Sequence, residues 1–375
     1  MHGEVEEIHE RIQNLERLGT AIEATYNDYL LDKITEMFSP EEKDAFIVAS
    51  DKKRPATLRT NTLFDKRSTI LHKLSTRGVN VEGIEWSDCG AVVYNTDVPI
   101  GATPEYLAGF YMLQSPSSML PVMALSPQPN EKVVDMCAAP GGKTTHIAAL
   151  MSNTGVLYAN DVSKERVCSL AANIQRMGVT NTVCMNMDGL ALPIDKADKV
   201  LLDAPCSGTG VLSKDPAAKR NKDAEIIKRI QMKQKRLILK AFDMLDSHKP
   251  ETATLVYSTC SILVEENEYV VDYLLRKRPN ARVVDTDLPI GREGFKSFRG
   301  LHFHPSLRLT RRFYPHVHNT DGFFVSKIRK TGLNQKEIED RRKAQDASRK
   351  RQGLEPYQKK QKTVSNEPKT SKTSK

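Results

Sequence analysis

The sequence predicts an α/β protein built on a doubly wound sheet, and three observations carry that expectation. From about Val122, short apolar runs alternate with amphipathic stretches of helical length. Several of those runs end in an aspartate beside small residues, where a strand hands over to a loop. With 375 residues and 39% hydrophobic content, the chain can bury a large core and a smaller companion domain. Strands separated by helices imply parallel βαβ units.

Taken in order, residues 1–50 read as a helical segment. Ile8, Ile12, Leu15, Leu18 and Ile22 recur at three- and four-residue steps among Glu and Arg, the pattern of an amphipathic helix or helix pair that packs or docks. Residues 51–113 read as a small α/β domain: TLRTNTL and AVVYNTDVPIG have strand character, and STILHKLSTRG reads as a helix closed by Gly78. Residues 114–331 form the large domain. Its expected order is KVVDM, a helix over 144–151, GVLYAND, a helix over 164–177, TVCMNMD, KVLLDAP, a long helix over about 222–247, ATLVYST, a helix over 265–277 and FFVSKI. Residues 332–375 are polar and lysine-rich, a composition that predicts disorder.

The net charge of +9 is unevenly spread: −8 over residues 1–50, +3 over 51–291, +7 over 292–330 and +7 over 331–375. A basic carboxy-terminal half suits a polyanion such as nucleic acid. No apolar run approaches the roughly 18 residues of a membrane span, and the acidic start MHGEVEEIHERIQ lacks signal-peptide layout, so an intracellular protein is expected. Six cysteines occur without a C-x-x-C pair, which argues against structural zinc and a disulfide framework. His304, His316 and His318 form no recognisable metal motif.

The strongest local signal is VVDMCAAPGGKTTHIA at 133–148, a strand, a small-residue loop and a helix. Ala138, Ala139, Gly141 and Gly142 let a ligand approach the backbone and the positive helix terminus. A phosphate-binding G-x-x-x-x-G-K-[ST] loop is excluded because Cys137 stands where its first glycine is needed, and the dinucleotide fingerprint G-x-G-x-x-G is absent. Asp161 ends the next strand, where a carboxylate can accept from two ribose hydroxyls; this favours an adenosyl cofactor without phosphates. Asp188 in NMDG, suited to an adenine amino group, and Asp203 in LLDAPCSG follow at later strand ends, so the three acids are expected to converge on one crevice.

Cys206 in DAPCSGTG and Cys260 in VYSTCSI follow the fourth and fifth strands and are expected on the same rim, whereas Cys89, Cys168 and Cys184 read as inert buried residues. Paired thiols suit methylation of carbon-5 of cytosine. That carbon is too weak a nucleophile until a thiolate adds to carbon-6 and turns the ring into an enamine. A second thiol can assist proton removal and elimination, Asp203 can hold the Watson–Crick edge, and Lys143 can lower a neighbouring thiol's pKa. Spacing alone leaves open which cysteine attacks.

The chain resembles the Nop/Sun family of RNA cytosine-carbon-5 methyltransferases, in particular its nucleolar ribosomal-RNA branch. The likeness runs from about Arg54 to Ile328 through LRTNTL, VPIGATPEYLAGFYMLQSPSSMLPVMAL, DMCAAPGGKTTHIA, TGVLYANDVSKERV, LLDAPCSGTGV, LVYSTCSI, VEENEYVVDY and RRFYPHVHNTDGFF. It implies a class I Rossmann-like S-adenosylmethionine-dependent methyltransferase with a small amino-terminal domain similar to an RNA-recognition motif. It implies Cys260 as nucleophile and Cys206 as the thiol that aids release. Cys137, Ala138, Ala139, Pro140, Gly141, Gly142 and Lys143, with Asp161, Arg166, Asp188 and Asp203, correspond to cofactor contacts. The branch acts on large-subunit rRNA in pre-ribosomal particles, which implies a nuclear and nucleolar, monomeric enzyme with no membrane association. Two other readings compete: an rRNA-binding assembly factor whose catalysis is dispensable, and a tRNA cytosine methyltransferase.

Ring addition requires an unstacked cytosine. Arg299, Arg308, Arg311 and Arg312, interleaved with Phe298, Phe303, Phe313 and Tyr314, are candidates to grip phosphates and stack bases, although Phe303 and Phe313 suit a core beneath a final hairpin better. Lys214, Lys219, Arg220 and Lys222 extend that track, and RRKAQDASRKR at 341–351 reads as a nuclear address.

Overall fold

The computed structural model describes Leu18, residues 20–332 and Glu339. The expectations at Ile8, Ile12, Leu15 and the 341–351 segment lie outside the described residues.

After helical residues at 20–23 come two helices, α1 (Asp28–Met37) and α2 (Pro40–Asp51), and each starts where a side chain caps it. The Asn27 Oδ1 accepts from the Leu30 amide, and the Ser39 hydroxyl oxygen accepts from the Glu42 amide ahead of Pro40. Their apolar faces pack Leu30, Ile34, Phe46 and Ile47 against Leu212, Ile262 and Leu263, beside the two cysteine loops. Of the expected amphipathic pattern, Ile22 packs at the edge of this cluster.

The small unit runs β1 (Ala56–Thr60), α3 (Arg67–Ser75), β2 (Val79–Gly83), β3 (Gly90–Thr96), α4 (Pro104–Leu107) and β4 (Tyr111–Leu113). Its antiparallel sheet has the order β2-β3-β1-β4, a split βαββαβ arrangement, with Leu58, Ile70, Leu74 and Tyr111 in its core. Gly78 closes α3 at φ +82°, the left-handed conformation that stops a helix.

After α5 (Leu120–Leu125) comes the large sheet. Its core strands and helices are β5 (Lys132–Asp135), α6 (Gly142–Leu150), β6 (Val156–Asn160), α7 (Lys164–Arg176), β7 (Thr182–Met185), β8 (Lys199–Asp203), α8 (Ala224–Asp243), β9 (Thr254–Thr259) and α9 (Glu268–Lys277). The chain closes with β10 (Ala281–Val284), β11 (Arg292–Glu293), the hairpin β12 (Ser297–Phe298) and β13 (Leu301–His302), β14 (Arg311–Phe313), α10 (Pro315–His318) and β15 (Phe323–Lys330). The sheet order is β11-β14-β15-β9-β8-β5-β6-β7, with β10 also paired to β15. Apolar clusters cover both faces: Val134, Val200, Leu202, Leu255 and Phe324 face one layer, and Val133, Leu157, Leu201, Val256 and Val325 the other.

One expectation needs correction. The sheet is mixed, because β15 runs antiparallel to β9 and β14 antiparallel to β15. Between β9 and β15 the chain passes through short strands and hairpins, so the last strand returns from the opposite direction rather than by one helical crossover. Moving outward, the chain goes from β5 to β6 and β7, then returns to β8 on the other side of β5. The carboxyl ends of β5 and β8 thus flank a topological switch point, where crevices form in open α/β sheets.

Candidate active site

The rim at that switch point is set by strand register. In the parallel pair β8/β9, Asp203 lies opposite Ser258, and the Ser258 hydroxyl donates to Asp203 Oδ1 at 2.7 Å. Cys206 follows Asp203 by three residues and Cys260 follows Ser258 by two, so both thiols leave neighbouring strand ends. Their sulfurs stand 3.0 Å apart. The loops meet at Gly210, whose amide donates to the Cys260 carbonyl at 2.9 Å while its carbonyl accepts from the Gly322 amide at 2.8 Å. A Cβ on Gly210 would sit 2.0 Å from the Gly322 oxygen, so only glycine permits this approach.

Beneath the loops lies a carboxylate that sequence reasoning did not single out. Glu266 is fully buried; its Oε1 accepts from the Ser207 amide at 2.9 Å and from Gln234 at 3.1 Å, and its Oε2 accepts from the Ser207 and Ser261 hydroxyls. It therefore ties the residue after each cysteine to one anchor. Burial raises its pKa, an effect that these donors oppose. Nothing local in VEENE distinguishes Glu266 from Glu265; only burial does.

The Cys206 thiol is pushed well above the ordinary thiol range, first by its hydrogen bond with Cys260, then by burial and by negative charge at Cys260 and Glu266. Cys206 thus stays protonated beside the Cys260 sulfur. Lys143 Nζ pairs with Asp203 Oδ2 at 2.7 Å. Burial opposes the lysine's charge, but Asp203, Asp135 and Cys260 outweigh it and raise its pKa, so a cation stands beside the thiol pair. Asp135 is the second residue missed: it ends β5, the same strand-then-acid pattern that marks Asp161 and Asp203. It accepts from the Thr144 hydroxyl at 2.8 Å, and burial pushes it up to about 7.

The 137–143 loop joins β5 to α6 with Gly141 at φ +104° and a cis peptide between Ala139 and Pro140. Burial, then Asp135, Asp203 and Asp161, push the Cys137 thiol up to about 12, so it stays protonated. A cavity of about 250 Å³ is lined by Cys137, Ala139, Asp161, Arg166, Asp188, Asp203, Cys206, Cys260 and the unforeseen Lys233. A second cavity of about 280 Å³ shares Cys137, Ala139 and Asp203 with it and adds Ala138, Pro140, Gly142 and Lys143. Asp161 is buried, and its Oδ1 accepts from the Ser163 amide at 3.0 Å. Its Oδ2 makes no hydrogen bond, although Arg166 Nη1 stands 3.3 Å away. Arg166 also donates to the Ala139 carbonyl at 2.6 Å, bridging the acid and the loop. Asp188 is exposed and caps the turn at Leu190. An unsatisfied buried carboxylate oxygen in a cavity beside a small-residue loop fits a ligand that brings hydroxyl donors.

The expected basic and aromatic track divides. Arg312 is buried in an ion pair with Glu268 and also donates to the Ile262 carbonyl at 2.8 Å, so it cannot grip phosphate. Phe303, Phe313 and Tyr314 are core residues, and the Tyr314 hydroxyl accepts from Arg312 at 3.2 Å. Lys219 is buried against Asp51. Arg299, Arg308, Lys214 and Arg220 remain exposed, while Arg311, Lys222 and Phe298 are half-buried. Helix α8 adds a basic stripe that was not foreseen: Arg229, Lys233 and Arg236 are exposed at steps of four and three residues. Cys89 is buried as expected; Cys168 and Cys184 are instead exposed, on the solvent side of α7 and on β7, the outermost strand at that end of the sheet. Among the described residues no group of three or more His, Cys, Asp or Glu is arranged to hold a metal ion, and no helix is long and apolar enough to cross a membrane.

Residues 122–329 match the profile of the family described as 16S rRNA methyltransferase RsmB/F. The chain is 54% identical over 330 residues to the human 28S rRNA (cytosine(4447)-C(5))-methyltransferase, covering 87% of this chain and 40% of that protein. It is 52% identical over 309 residues to the Schizosaccharomyces pombe 25S rRNA (cytosine-C(5))-methyltransferase nop2, covering 81% of this chain and 51% of the relative. It thus spans about half or less of these curated relatives. A methyltransferase homolog protein from Pyrococcus horikoshii superposes with a TM-score of 0.73 at 34% identity, over 85% of this chain and 98% of that one.

Proposed function

The chain belongs to the RsmB/F family of methyltransferases, and on that premise we propose that it transfers a methyl group from S-adenosyl-L-methionine to carbon-5 of a cytosine in large-subunit ribosomal RNA through a covalent cysteine adduct. The observation that carries this reading is the sulfur pair, 3.0 Å apart, beside the Lys143–Asp203 ion pair on the sheet rim. The choice of large-subunit RNA rests on the names of the human and S. pombe relatives.

The residues fit the cofactor. Asp161 Oδ2, buried and without a hydrogen bond, suits the ribose hydroxyls; Asp188 suits the adenine amino group, and the 137–143 loop leaves room beside its backbone. When bound, the cofactor supplies an electrophilic sulfonium methyl. The Cys260 thiolate, beside the Lys143 cation, adds to carbon-6 of the ring. Asp203, oriented by Ser258 and Lys143, takes the Watson–Crick edge and stabilises the ring as electron density moves to carbon-5. Once Cys260 is a neutral thioether, the bond and charge that hold up the Cys206 pKa are gone, so Cys206 can release its proton to solvent, the one net proton of the reaction, and then accept the one leaving carbon-5 after methyl transfer. Its S–H next stabilises the departing Cys260 sulfur, and the carbon-5 to carbon-6 double bond re-forms.

The basic surface of Lys214, Lys222, Arg229, Lys233 and Arg236 would track the RNA backbone, and the βαββαβ unit of residues 51–113 would act as an RNA-recognition-motif-like platform beside the 114–331 methyltransferase domain. We place the protein, as a monomer, on pre-ribosomal particles in the nucleolus. The deciding experiment is covalent trapping on RNA carrying 5-azacytidine. Cys260→Ala is expected to abolish both trapping and methyl transfer, whereas Cys206→Ala accumulates an adduct on ordinary cytosine RNA because elimination stalls. Exchanged phenotypes would reverse the two roles.

A further inference from the structure

Where the small unit meets the methyltransferase domain lies a third cavity, of about 350 Å³, that the methyl-transfer chemistry does not use. One wall comes from β1, β3 and the segment before β1; the other comes from the Ser213–Lys214 turn and the Asn319–Asp321 segment. Tyr94, at the end of β3, lines the cavity and remains 52% exposed. Lys53, Arg54 and Lys214 bring three cations to it against one carboxylate, Asp321. That carboxylate is buried and occupied. Its Oδ1 accepts from Arg54 at 3.0 Å, and its Oδ2 accepts from Lys214 at 2.6 Å and from the Ser115 hydroxyl at 2.6 Å. Asp321 therefore organises two of the cations and leaves the cavity positive overall.

This cavity shares lining residues with the one that leads toward the catalytic rim. Ser115 and Lys214 line both it and the neighbouring cavity that reaches Lys143 and Asp203. That second cavity in turn shares Asp203 with the one lined by Cys206 and Cys260. Three cavities linked by shared lining residues, with an exposed aromatic ring and cations in the outer one, supply the parts that a single RNA strand needs: phosphate-binding cations, a stacking face and the reaction centre. A half-exposed ring lining such a cavity offers a stacking face to an unpaired base, whose faces are free, rather than to one already stacked in a duplex.

We propose that the Tyr94 cavity binds the unpaired nucleotide next to the target cytosine, its base stacked on Tyr94 and its phosphate held by Lys53 and Lys214. The site rests on the cytosine-methylation reading and adds to it a second nucleotide that must be unpaired. A substrate whose target cytosine is flipped out of an otherwise intact helix would fill only half of the site.

The test uses the full chain and single-stranded RNA containing one cytosine, with an abasic position introduced in turn on each side of it. RNA affinity is read by fluorescence anisotropy and methyl transfer is measured separately. Tyr94→Ala is expected to weaken binding by about tenfold, within the range found for loss of one base–aromatic stack. Tyr94→Phe, which keeps the ring, should bind like the native chain, and Lys53→Ala should lower the salt slope by about one. The abasic substitution on one side should weaken the native protein equally and cost Tyr94→Ala nothing further, since both remove the same stack. Additive losses, or an unchanged affinity for Tyr94→Ala, would overturn the nucleotide site even with methyl transfer intact. If native protein binds with this coupling but neither methylates nor is trapped, the cavity assignment stands and the cytosine-methylation reading fails.

Discussion

Asp135 is fully buried at the end of β5, and burial, with a smaller push from Asp203, raises its pKa from 3.8 to about 7. An acid whose folded pKa is raised keeps its proton while the unfolded chain has already lost it, so stability falls as pH rises across that interval. The native chain is thus expected to lose stability relative to Asp135→Asn between about pH 4 and 7. Urea midpoints of both proteins at the two ends of that window check this, and a constant difference would refute it. Glu266 acts at the same scale by anchoring Ser207 and Ser261, the residues that follow the two cysteines. Glu266→Gln turns one acceptor into a donor facing donors, at a cost of about 1–3 kcal/mol for each buried group left unpaired. Because it positions the thiols, the variant should also shift the pH profile of cysteine alkylation toward that of isolated thiols. A loss of stability with an unshifted profile would reduce Glu266 to a folding role.

At the scale of elements, the register of β8 against β9 brings the thiols together, and β15 with β14 closes the sheet beside them. The Arg312–Glu268 pair joins β14 to α9, and the Phe295 amide donates to the same carboxylate at 3.0 Å. Both side chains are almost wholly buried, so removing one leaves an uncompensated charge. Arg312→Ala is expected to cost about 3–5 kcal/mol in chemical denaturation. RNA affinity of the protein that remains folded should hold; a selective loss of affinity without loss of stability would restore Arg312 to the RNA track. The helices read most clearly from periodicity and caps: the expected 164–177 and 222–247 stand against observed spans of Lys164–Arg176 and Ala224–Asp243. The direction of β15 was not legible, because FFVSKI is apolar in either orientation.

For the whole molecule, the uneven charge predicts a salt-dependent encounter with RNA. Reversing Arg229 and Arg236 together should weaken RNA binding at every sequence and reduce the salt slope by about one for each phosphate no longer neutralised, measured by titration over a range of potassium chloride. An unchanged slope would assign the stripe on α8 to solvent. What the sequence by itself determined is the local chemistry: the glycine-rich turn at 137–143, the acids at strand ends, and two cysteines each placed just past a strand. Period and spacing along the chain specify these because they depend on neighbours within a few residues. Tertiary structure alone decided which arginines and aromatics were core, how far apart the sulfurs stand, and that Glu266 and Tyr94 face places where chemistry or binding can happen. Burial and through-space distance arise between segments far apart in sequence, and no local pattern of residue types encodes them.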